Sequence, residues 1–591
     1  WNIRRGREPV RKSGAELTVH ALEQLGVRFT FGIPGVHNTE IYDELNASKS
    51  ITPVLVTHEG GGAFMADAVS RTSASIGTMV IVPAAGASHA ASGIGEAFLD
   101  GIPMLVICGG IDRAADKSFQ LHEMDQHAFI SALTKRTFLV ESHEAVIPTL
   151  YQAFDIAQGG EPGPVFVEIP VNIQRFKGNV DAMPAYCAPA GRAMVDAAAI
   201  QRAVELLRQA KRPGLFVGWG AKGAAAELLQ LAELMEAPVA TTLQGLGVFP
   251  GDHPLHTGLA FGASAVPAGR NAFADCDLML AIGTKFSELG TGFFFSAEVP
   301  QDLIHIDINP NNFNRNYPAR EAIAGDAEIV AAALLRGLGN DGGAGNRARA
   351  GAELRAGIAA DKAAYRAEWR RHDSRGRVNP ENFFANLRSE MPDDCIFVVD
   401  DGNHTFLTAE LLPIHNTNGF IGPTDFNCMV SAVPAAIGAK FANPDTLVAA
   451  IVGDGCFTMT CMEILTASRN NLGLVFYVFN DGALSQIAQA QQLVYNRTPC
   501  TGLEGLNLAG VALATGAHYL PLAGSDDGGE VMAEANRLAA SSAQPVIVDV
   551  AIDYSRKSAY TKGAAKTNAK RLPMRETLRF IGRIVARKVA G

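Results

Sequence analysis

The feature that most constrains the fold is a series of short, continuously apolar runs, each set between amphipathic helical patterns. Residues 29–32, 54–57, 78–82, 104–107 and 165–169 form one set within the stretch 13–182, between helical patterns such as 15–25. Residues 213–218, 278–282 and 303–307 form a second within 195–337, and 396–400, 447–452 and 474–479 a third within 379–553. These runs lack the in–out alternation of half-exposed strands and suit parallel strands covered on both faces. Alternation with helices then predicts an α/β chain of three domains, each a parallel sheet flanked by helices. A Pro/Ala/Gly-rich linker at 183–191 and a Gly-rich one at 339–345 separate the stretches. At 591 residues the chain is about four times a usual single domain, so several cores are expected. No sequence repeat is evident across the three.

Apolar residues make up 48% and charged residues 19%, which excludes a disordered polyelectrolyte. The net charge of −10 argues against a nucleic-acid partner, yet residues 554–591 carry eleven Lys/Arg against one acid. The other 39 basic and 59 acidic residues leave −20 on the rest. Eight cysteines without a C-x-x-C pair read as reduced thiols of a cytoplasmic protein. No apolar run reaches membrane-span length. The chain opens at Trp1 without an initiator Met, so a targeting peptide ahead of it stays open.

The chemistry concentrates at Gly453-Asp454-Gly455-Cys456, directly after an apolar strand and followed by a helical pattern, a second apolar strand, and Asn480-Asp481-Gly482. A sharp glycine turn exposes backbone N–H groups that suit phosphate oxygens. Asp454 and Asn480, each at the carboxyl end of a strand, offer two oxygens to one hard cation, and Mg²⁺ prefers few protein oxygens plus phosphates. The spacing therefore describes a diphosphate anchored through a metal.

Here the sequence resembles the thiamine diphosphate enzymes of the acetohydroxyacid synthase, pyruvate oxidase and 2-oxo acid decarboxylase group, whose signature is Gly-Asp-Gly followed after about twenty-five residues by Asn. The resemblance extends to residues 31–35, to His58-Glu59 with residues 63–67 and Arg71, to Gly402-Asn403-His404, to Met429 ahead of residues 434–439, and to 241–245 and 305–308. It implies pyrimidine-binding, middle and diphosphate-binding domains in that order. Asp454, Asn480 and the Gly482 carbonyl would hold Mg²⁺, while Gly402, Asn403, His404, Gly453, Gly455 and Cys456 would surround the diphosphate. Met429 would lie beneath the coenzyme's bend and the Asn427 carbonyl would accept from its amino group. Glu59 would be the catalytic carboxylate at the pyrimidine, since a buried carboxyl is held nearer its neutral form and can share a proton with a ring nitrogen.

On the acceptor side, Phe119-Gln120 and Lys135 resemble a Phe-Gln pair and a lysine of acetohydroxyacid synthases. His122 and Glu123 lie close enough in sequence to trade protons, and His89 replaces an asparagine ending the family's Gly-rich loop. Gln120, His122 and His89 are therefore catalytic candidates beside Glu59. Phe479, Cys456 and residues 482–487 depart from relatives at positions near the substrate, so a substrate other than pyruvate is left open. Gly283-Thr284-Lys285-Phe286 replaces the arginine-containing pattern of FAD-dependent members, so FAD is the less expected cofactor. The resemblance implies decarboxylation or C–C cleavage of a 2-oxo acid with carboligation to a carbonyl acceptor, acetolactate synthase-like. A non-ligating 2-oxo acid decarboxylase and a flavin-dependent pyruvate oxidase-like enzyme are the alternatives. It also implies a homodimer or homotetramer with the coenzyme between the first domain of one subunit and the third of another. Residues 572–590 place Leu578, Ile581, Val585 and Val589 on one stripe of a basic amphipathic helix, which is expected to pack on the acidic body rather than on an anionic membrane.

Overall fold

The computed structural model describes residues 10–189, 195–294, 296–339, 347–524, 528–568 and 573–589. Most of the 339–345 linker, the end of the 183–191 linker, and residues 572 and 590 of the tail lie outside the described residues. Three six-stranded sheets, parallel throughout, carry the architecture. The chain divides by its internal contacts into two compact units.

The first unit holds one sheet together with residues 426–445 and 460–472. Its strands are β1 (Phe29–Gly32), β2 (Thr52–Leu55), β3 (Gly77–Ile81), β4 (Met104–Gly110), β5 (Arg136–Leu139) and β6 (Pro164–Pro170), in spatial order β2-β1-β3-β4-β6-β5. The run expected at 54–57 begins two residues early as β2, because this is an edge strand and tolerates Pro53. A short antiparallel pair, Val10–Ser13 with Lys177–Val180, closes one side. Ser13 then starts the helix Gly14–Gln24 through a capping box with Glu16.

Two helices of this unit position the residues of interest. Glu59–Thr72 begins at His58, whose Nδ1 accepts from the Gly60 N–H and caps the helix. Helix Ala432–Ala442, buried along its whole length, packs across it at Gly438, where a Cβ would stand 2.3 Å from the Met65 carbonyl oxygen. Only glycine permits that approach, so the sequence Ile437-Gly438-Ala439 fixes the depth at which the two helices meet. At the head of Glu59–Thr72, the Thr57 N–H (2.9 Å) and hydroxyl donate to the two carboxylate oxygens of buried Glu463.

The second unit holds two sheets. The middle sheet is built from β7 (Pro213–Val217), β8 (Val239–Thr241), β9 (His256–Leu259), β10 (Leu278–Ile282), β11 (Asp302–Asp307) and β12 (Glu321–Ala324), ordered β9-β8-β7-β10-β11-β12. This is the doubly wound order with its switch point between β7 and β10. The third sheet is β13 (Ile396–Val399), β14 (Phe420–Ile421), β15 (Val448–Gly453), β16 (Val475–Phe479), β17 (His518–Leu522) and β18 (Val546–Val550), ordered β14-β13-β15-β16-β18-β17. First and third sheets thus share one strand order although their sequences show no repeat. Helix Pro380–Glu390 opens with Asn379 as cap and Pro380 at its first position, then buries Phe383 and Phe384 against β16.

Phe479, expected near the substrate, belongs to this core. It is fully buried, with its ring edge-on to Phe383 at a centroid distance of 4.7 Å. An aromatic residue there extends the packed sheet to the last strand position. The tail forms the helix Met574–Val589. Leu578, Ile581 and Val585 remain exposed, and Arg587 lies over the Tyr495 ring at 4.9 Å.

Within the first unit, Arg71 is 2% exposed and donates to Asp67 (2.6 Å) and Asp100 (2.8 Å), both buried. The guanidinium compensates two carboxylates that would otherwise be stranded in an apolar interior. Arg71→Met should cost about 3–5 kcal/mol, the scale for breaking a buried charge network. Denaturant unfolding of the purified variant measures it, and a loss below ~1 kcal/mol would show the network to be dispensable.

Candidate active site

The first unit presents a carboxylate at a helix head. Glu59 stands beyond the end of β2, which stops at Leu55, and is the first residue of its helix. Its side chain is 6% exposed and Oε2 lies 3.1 Å from His89 Nδ1. The His89 and His58 rings stack at 4.7 Å, so Glu59 sits beneath a histidine pair. The sequence singled out His89 only as the residue replacing a loop asparagine; the structure brings its ring to Glu59, and it adds His58, which sequence reasoning missed, as helix cap and stacking partner. Ala84, with φ of 52°, turns the chain into the helix Ala85–Asp100 that carries His89.

The segment 426–430 is also in this unit. Asn427 (φ 58°) and Val430 (φ 90°) occupy left-handed backbone, a costly conformation for a β-branched residue. Glu96 holds the segment by accepting from the Cys428 N–H at 3.0 Å, and Phe426 packs over Gly95, where a Cβ would stand 2.4 Å from the ring. Asn427 and half-buried Met429 are thereby fixed on either side of an anchored peptide.

The acceptor-side expectations fare differently. Gln120 is folded onto its own loop: Oε1 accepts from the Asp112 N–H (3.2 Å) and Nε2 donates to the Asp112 carbonyl (2.9 Å). His122 and Glu123 are not brought together. With φ of 68°, His122 turns its ring onto His37 at 5.2 Å, whereas Glu123 accepts from the Gln120 N–H at 2.8 Å. Lys135 donates to the carbonyls of Ile156 (2.5 Å) and Gly159 (2.6 Å), the unsatisfied end of helix His143–Gln158, so its amine closes a helix.

Sequence reasoning missed a buried polar cluster built on Glu168. This 1%-exposed carboxylate accepts from Arg113 (2.8 Å) and Gln126 (2.6 Å) and lies 3.0 Å from His127 Nε2. Gln126 Oε1 in turn accepts from the Ala84 N–H at 3.1 Å, reaching the turn ahead of the helix that carries His89. The signal was present: Glu168 is the one acid inside an otherwise apolar strand.

The second unit presents the turn after β15. Asp454 Oδ1 accepts from the Gly455 N–H (2.8 Å) and Oδ2 from the Gly482 N–H (2.7 Å), which ties the loops after β15 and β16 together. Asn480 donates through Nδ2 to Asp549 at 3.1 Å, so a cation would meet its carbonyl oxygen. The Gly482 carbonyl accepts from the Leu503 N–H at 2.9 Å and keeps one lone pair for a further contact. Burial raises the Asp454 carboxyl, against four backbone N–H groups that lower it. Burial likewise lifts Asp481 to about 6, with Asp454 near enough to add to the shift. Cys456 is buried and donates to the Asp401 carbonyl at 3.2 Å.

Gly402 has a φ of 151° and caps the helix Asn403–Leu411; a Cβ there would stand 2.6 Å from His404. Asn403 Nδ2 and His404 Nε2 are buried without partners, and a Cβ on Gly453 would stand 3.0 Å from the same His404 ring. An unsatisfied amide donor beside glycine turns and a backbone-held aspartate fits a phosphate group with a hard cation. Among the described residues no three His, Cys, Asp or Glu side chains gather as a self-sufficient metal centre. A site completed by phosphate oxygens needs none.

The crevice between β7 and β10, where a dinucleotide would lie, is closed. The Gly218, Gly220 and Ala221 N–H groups donate to the carbonyls of Ile282, Gly283 and Gly218, and a Cβ on Gly218 would stand 2.1 Å from the Gly283 oxygen. Lys285 pairs with Asp425 at 2.8 Å. Those N–H groups are spent inside the protein, so these residues do not fit an FAD pyrophosphate.

Comparison with known proteins agrees with this geometry. Residues 12–129 match the thiamine pyrophosphate enzyme N-terminal TPP binding domain, 200–334 the central domain and 400–550 the C-terminal TPP binding domain. The chain therefore belongs to the thiamine pyrophosphate enzymes, within the acetolactate synthase family. It is 32% identical over 499 residues to the acetolactate synthase large subunit of Corynebacterium glutamicum, covering 83% of this chain and 79% of that one. It is 29% identical over 511 residues to the isozyme 1 large subunit of Escherichia coli (82% and 85%) and 30% over 486 residues to isozyme 2 (82% and 85%).

Glu168 sets a pH dependence. Burial alone would raise its carboxyl, but hydrogen bonds from His127, Arg113 and Gln126 hold it at about 2. A depressed folded-state pKa contributes stability that is fully present above the unfolded value of about 4.3 and lost as pH falls towards 2. Glu168→Gln should therefore be less stable than wild type by about 1–3 kcal/mol at neutral pH. The gap should narrow between about pH 5 and 3, as read by denaturant titration at each pH.

Proposed function

We propose that the protein is a thiamine diphosphate- and Mg²⁺-dependent enzyme that cleaves or decarboxylates a 2-oxo acid and joins the retained fragment to a carbonyl acceptor. The relatives named as acetolactate synthases favour this ligating reaction over simple decarboxylation. The observation that carries the reading is the third-sheet turn, where Asp454 is fixed by the Gly482 N–H while the buried Asn403 amide donor beside Gly402 lacks a partner.

In this reading Asp454, the Asn480 carbonyl oxygen and the Gly482 carbonyl hold the metal. Asn403 donates to diphosphate oxygens, and the Gly402, Gly453 and Gly455 turns leave backbone room beside His404 and Cys456. The lobes 13–182, 195–337 and 379–553 act as pyrimidine-binding, middle and diphosphate-binding domains. Bound coenzyme supplies a carbon nucleophile that stores the electrons released by C–C cleavage. Glu59 holds and returns a proton at the pyrimidine nitrogen, with His89 at its other oxygen as proton partner. The Asn427 carbonyl accepts from the pyrimidine amino group and Met429 supports the bend. Gln120 faces the acceptor once its loop hydrogen bonds to Asp112 are released. The exposed apolar side chains Phe119, Leu121 and Met124 on that loop favour a homo-oligomer, which light scattering would measure. No described helix is long and apolar enough to cross a membrane.

Incubation with a panel of 2-oxo acids, alone and paired with aldehydes or second 2-oxo acids, should yield a ligated product by mass when thiamine diphosphate and Mg²⁺ are present. Release of free aldehyde from every substrate, without ligation, would replace the ligating reading with the decarboxylase one. Glu59→Gln should bind coenzyme with near wild-type affinity and lose roughly a hundredfold or more in turnover. Asp454→Ala should instead lose Mg²⁺-dependent coenzyme binding in calorimetry. The purified protein should show no flavin absorption band.

A further inference from the structure

One cavity of the second unit shares no residue with the site above. It encloses about 250 Å³ between the start of β9, the long helix Arg347–Arg370 and residues 409–414, with Leu246, Val266, Leu412 and Ile414 among its apolar walls. Most charged groups on its lining are committed elsewhere. Arg366 pairs with Glu381 and donates to the Leu411 carbonyl, Glu410 accepts from the Tyr365 hydroxyl and the N–H groups of Ala559 and Tyr560, and Asp361 accepts from Asn271.

Two lining groups are not committed. Lys362 reaches only the Gly251 carbonyl, at 3.5 Å; the exposed Asp252 on the same lining is close enough to act on its charge but makes no ion pair with its amine. His256 is 6% exposed, stacks on Phe249, and has a buried Nε2 without a partner. Burial, with Lys362 beside it, pushes His256 down to about 3, so the ring is neutral. A neutral imidazole has one nitrogen without a proton, and Nε2, which has no partner, can serve as that acceptor. Burial also brings Lys362 down to about 8, which leaves it charged at neutral pH. A half-buried cation that makes no ion pair, a buried imidazole nitrogen short of a partner, and apolar walls in one small cavity form a ligand-shaped pattern.

We propose that this cavity is a second ligand site that takes a small hydroxycarboxylate, its carboxylate on Lys362 Nζ and its hydroxyl donating to His256 Nε2. The volume suits a compact acid rather than a nucleotide. Such a ligand would bridge the middle sheet to the third-sheet lobe within this unit, a position from which occupancy would stiffen their junction.

Calorimetry on the full-length protein loaded with thiamine diphosphate and Mg²⁺, with lactate and glycerate as probes and acetate and glycerol as controls, tests the proposal. Both hydroxy acids should bind saturably and more tightly than either control. Lys362→Met should weaken them by roughly tenfold or more. His256→Leu should reduce hydroxy-acid binding to the level of acetate, with His256→Gln, which restores an acceptor, recovering part of it. Binding should persist in Asp454→Ala, which keeps this site apart from the coenzyme site. Hydroxy-acid binding unchanged in Lys362→Met, or lost in Asp454→Ala, would assign the heat to the catalytic region and overturn the proposal. The absence of saturable binding by any probe would also overturn it and leave the cavity to water.

Discussion

The hydrogen bond from the Gly482 N–H to Asp454 is the constraint on which the candidate site depends. Parallel strands deliver their carboxyl ends to one edge of a sheet, but they do not decide how the loops beyond that edge relate. Here a carboxylate on the turn after β15 captures the backbone of the turn after β16, while its other oxygen takes the Gly455 N–H. The neighbouring turn is anchored in a different way: Arg377 donates to the Asn480 backbone carbonyl at 2.6 Å, which leaves the side-chain carbonyl oxygen out of that bond, and the Asn480 N–H reaches the Val550 carbonyl at 2.9 Å. Loop positions that would otherwise be mobile become as rigid as the strands that feed them.

A comparable logic governs Glu59. A carboxylate at the first position of a helix is favoured by the unsatisfied N–H groups there, which holds it in place without a cationic partner. The helix itself is fixed from both sides. Gly438 admits the crossing helix to backbone contact, and Glu463 takes both donors of Thr57 just ahead of the helix head. The side chain that meets Glu59 is the His89 imidazole, whose Nδ1 lies 3.1 Å from Oε2 and gives the carboxylate a hydrogen-bonding neighbour in place of a lysine or arginine.

How far the sequence revealed this follows from the range of the interactions. Strands buried on both faces, such as β4 and β10, announce themselves as apolar runs because burial is written locally. Edge strands such as β5 and the two-residue β14 carry no such signature; they exist because a neighbouring strand offers hydrogen bonds. The glycine turn around Asp454 was legible because tight turns require particular residues at fixed spacing. The fate of Lys135 was not, since what the amine meets is the end of a helix twenty residues away. The contact of His122 with His37 was not legible either, because its left-handed backbone is a local conformation that composition hides and its ring partner lies far back in the sequence. Phe479 was read as a substrate-side change, whereas its partner Phe383 lies nearly a hundred residues earlier and only the fold brings them together.

Buried polar atoms without partners deserve separate treatment, because the same deficiency has different meanings in different surroundings. Trp369 Nε1 and Tyr477 Oη are unsatisfied inside the apolar core of the third-sheet lobe, as costs of packing large amphipathic rings. Asn403 Nδ2 is unsatisfied next to the glycine turn at Gly402, and His256, whose Nε2 is unsatisfied, lines a cavity together with Lys362, an amine that makes no ion pair with a described carboxylate. An isolated orphan says little. An orphan whose neighbours also leave room and complementary charge unspent marks a place where the protein is incomplete by itself, and these two places differ in kind: one offers backbone turns and an aspartate suited to a metal-bound diphosphate, the other a lysine and a neutral imidazole suited to an organic anion.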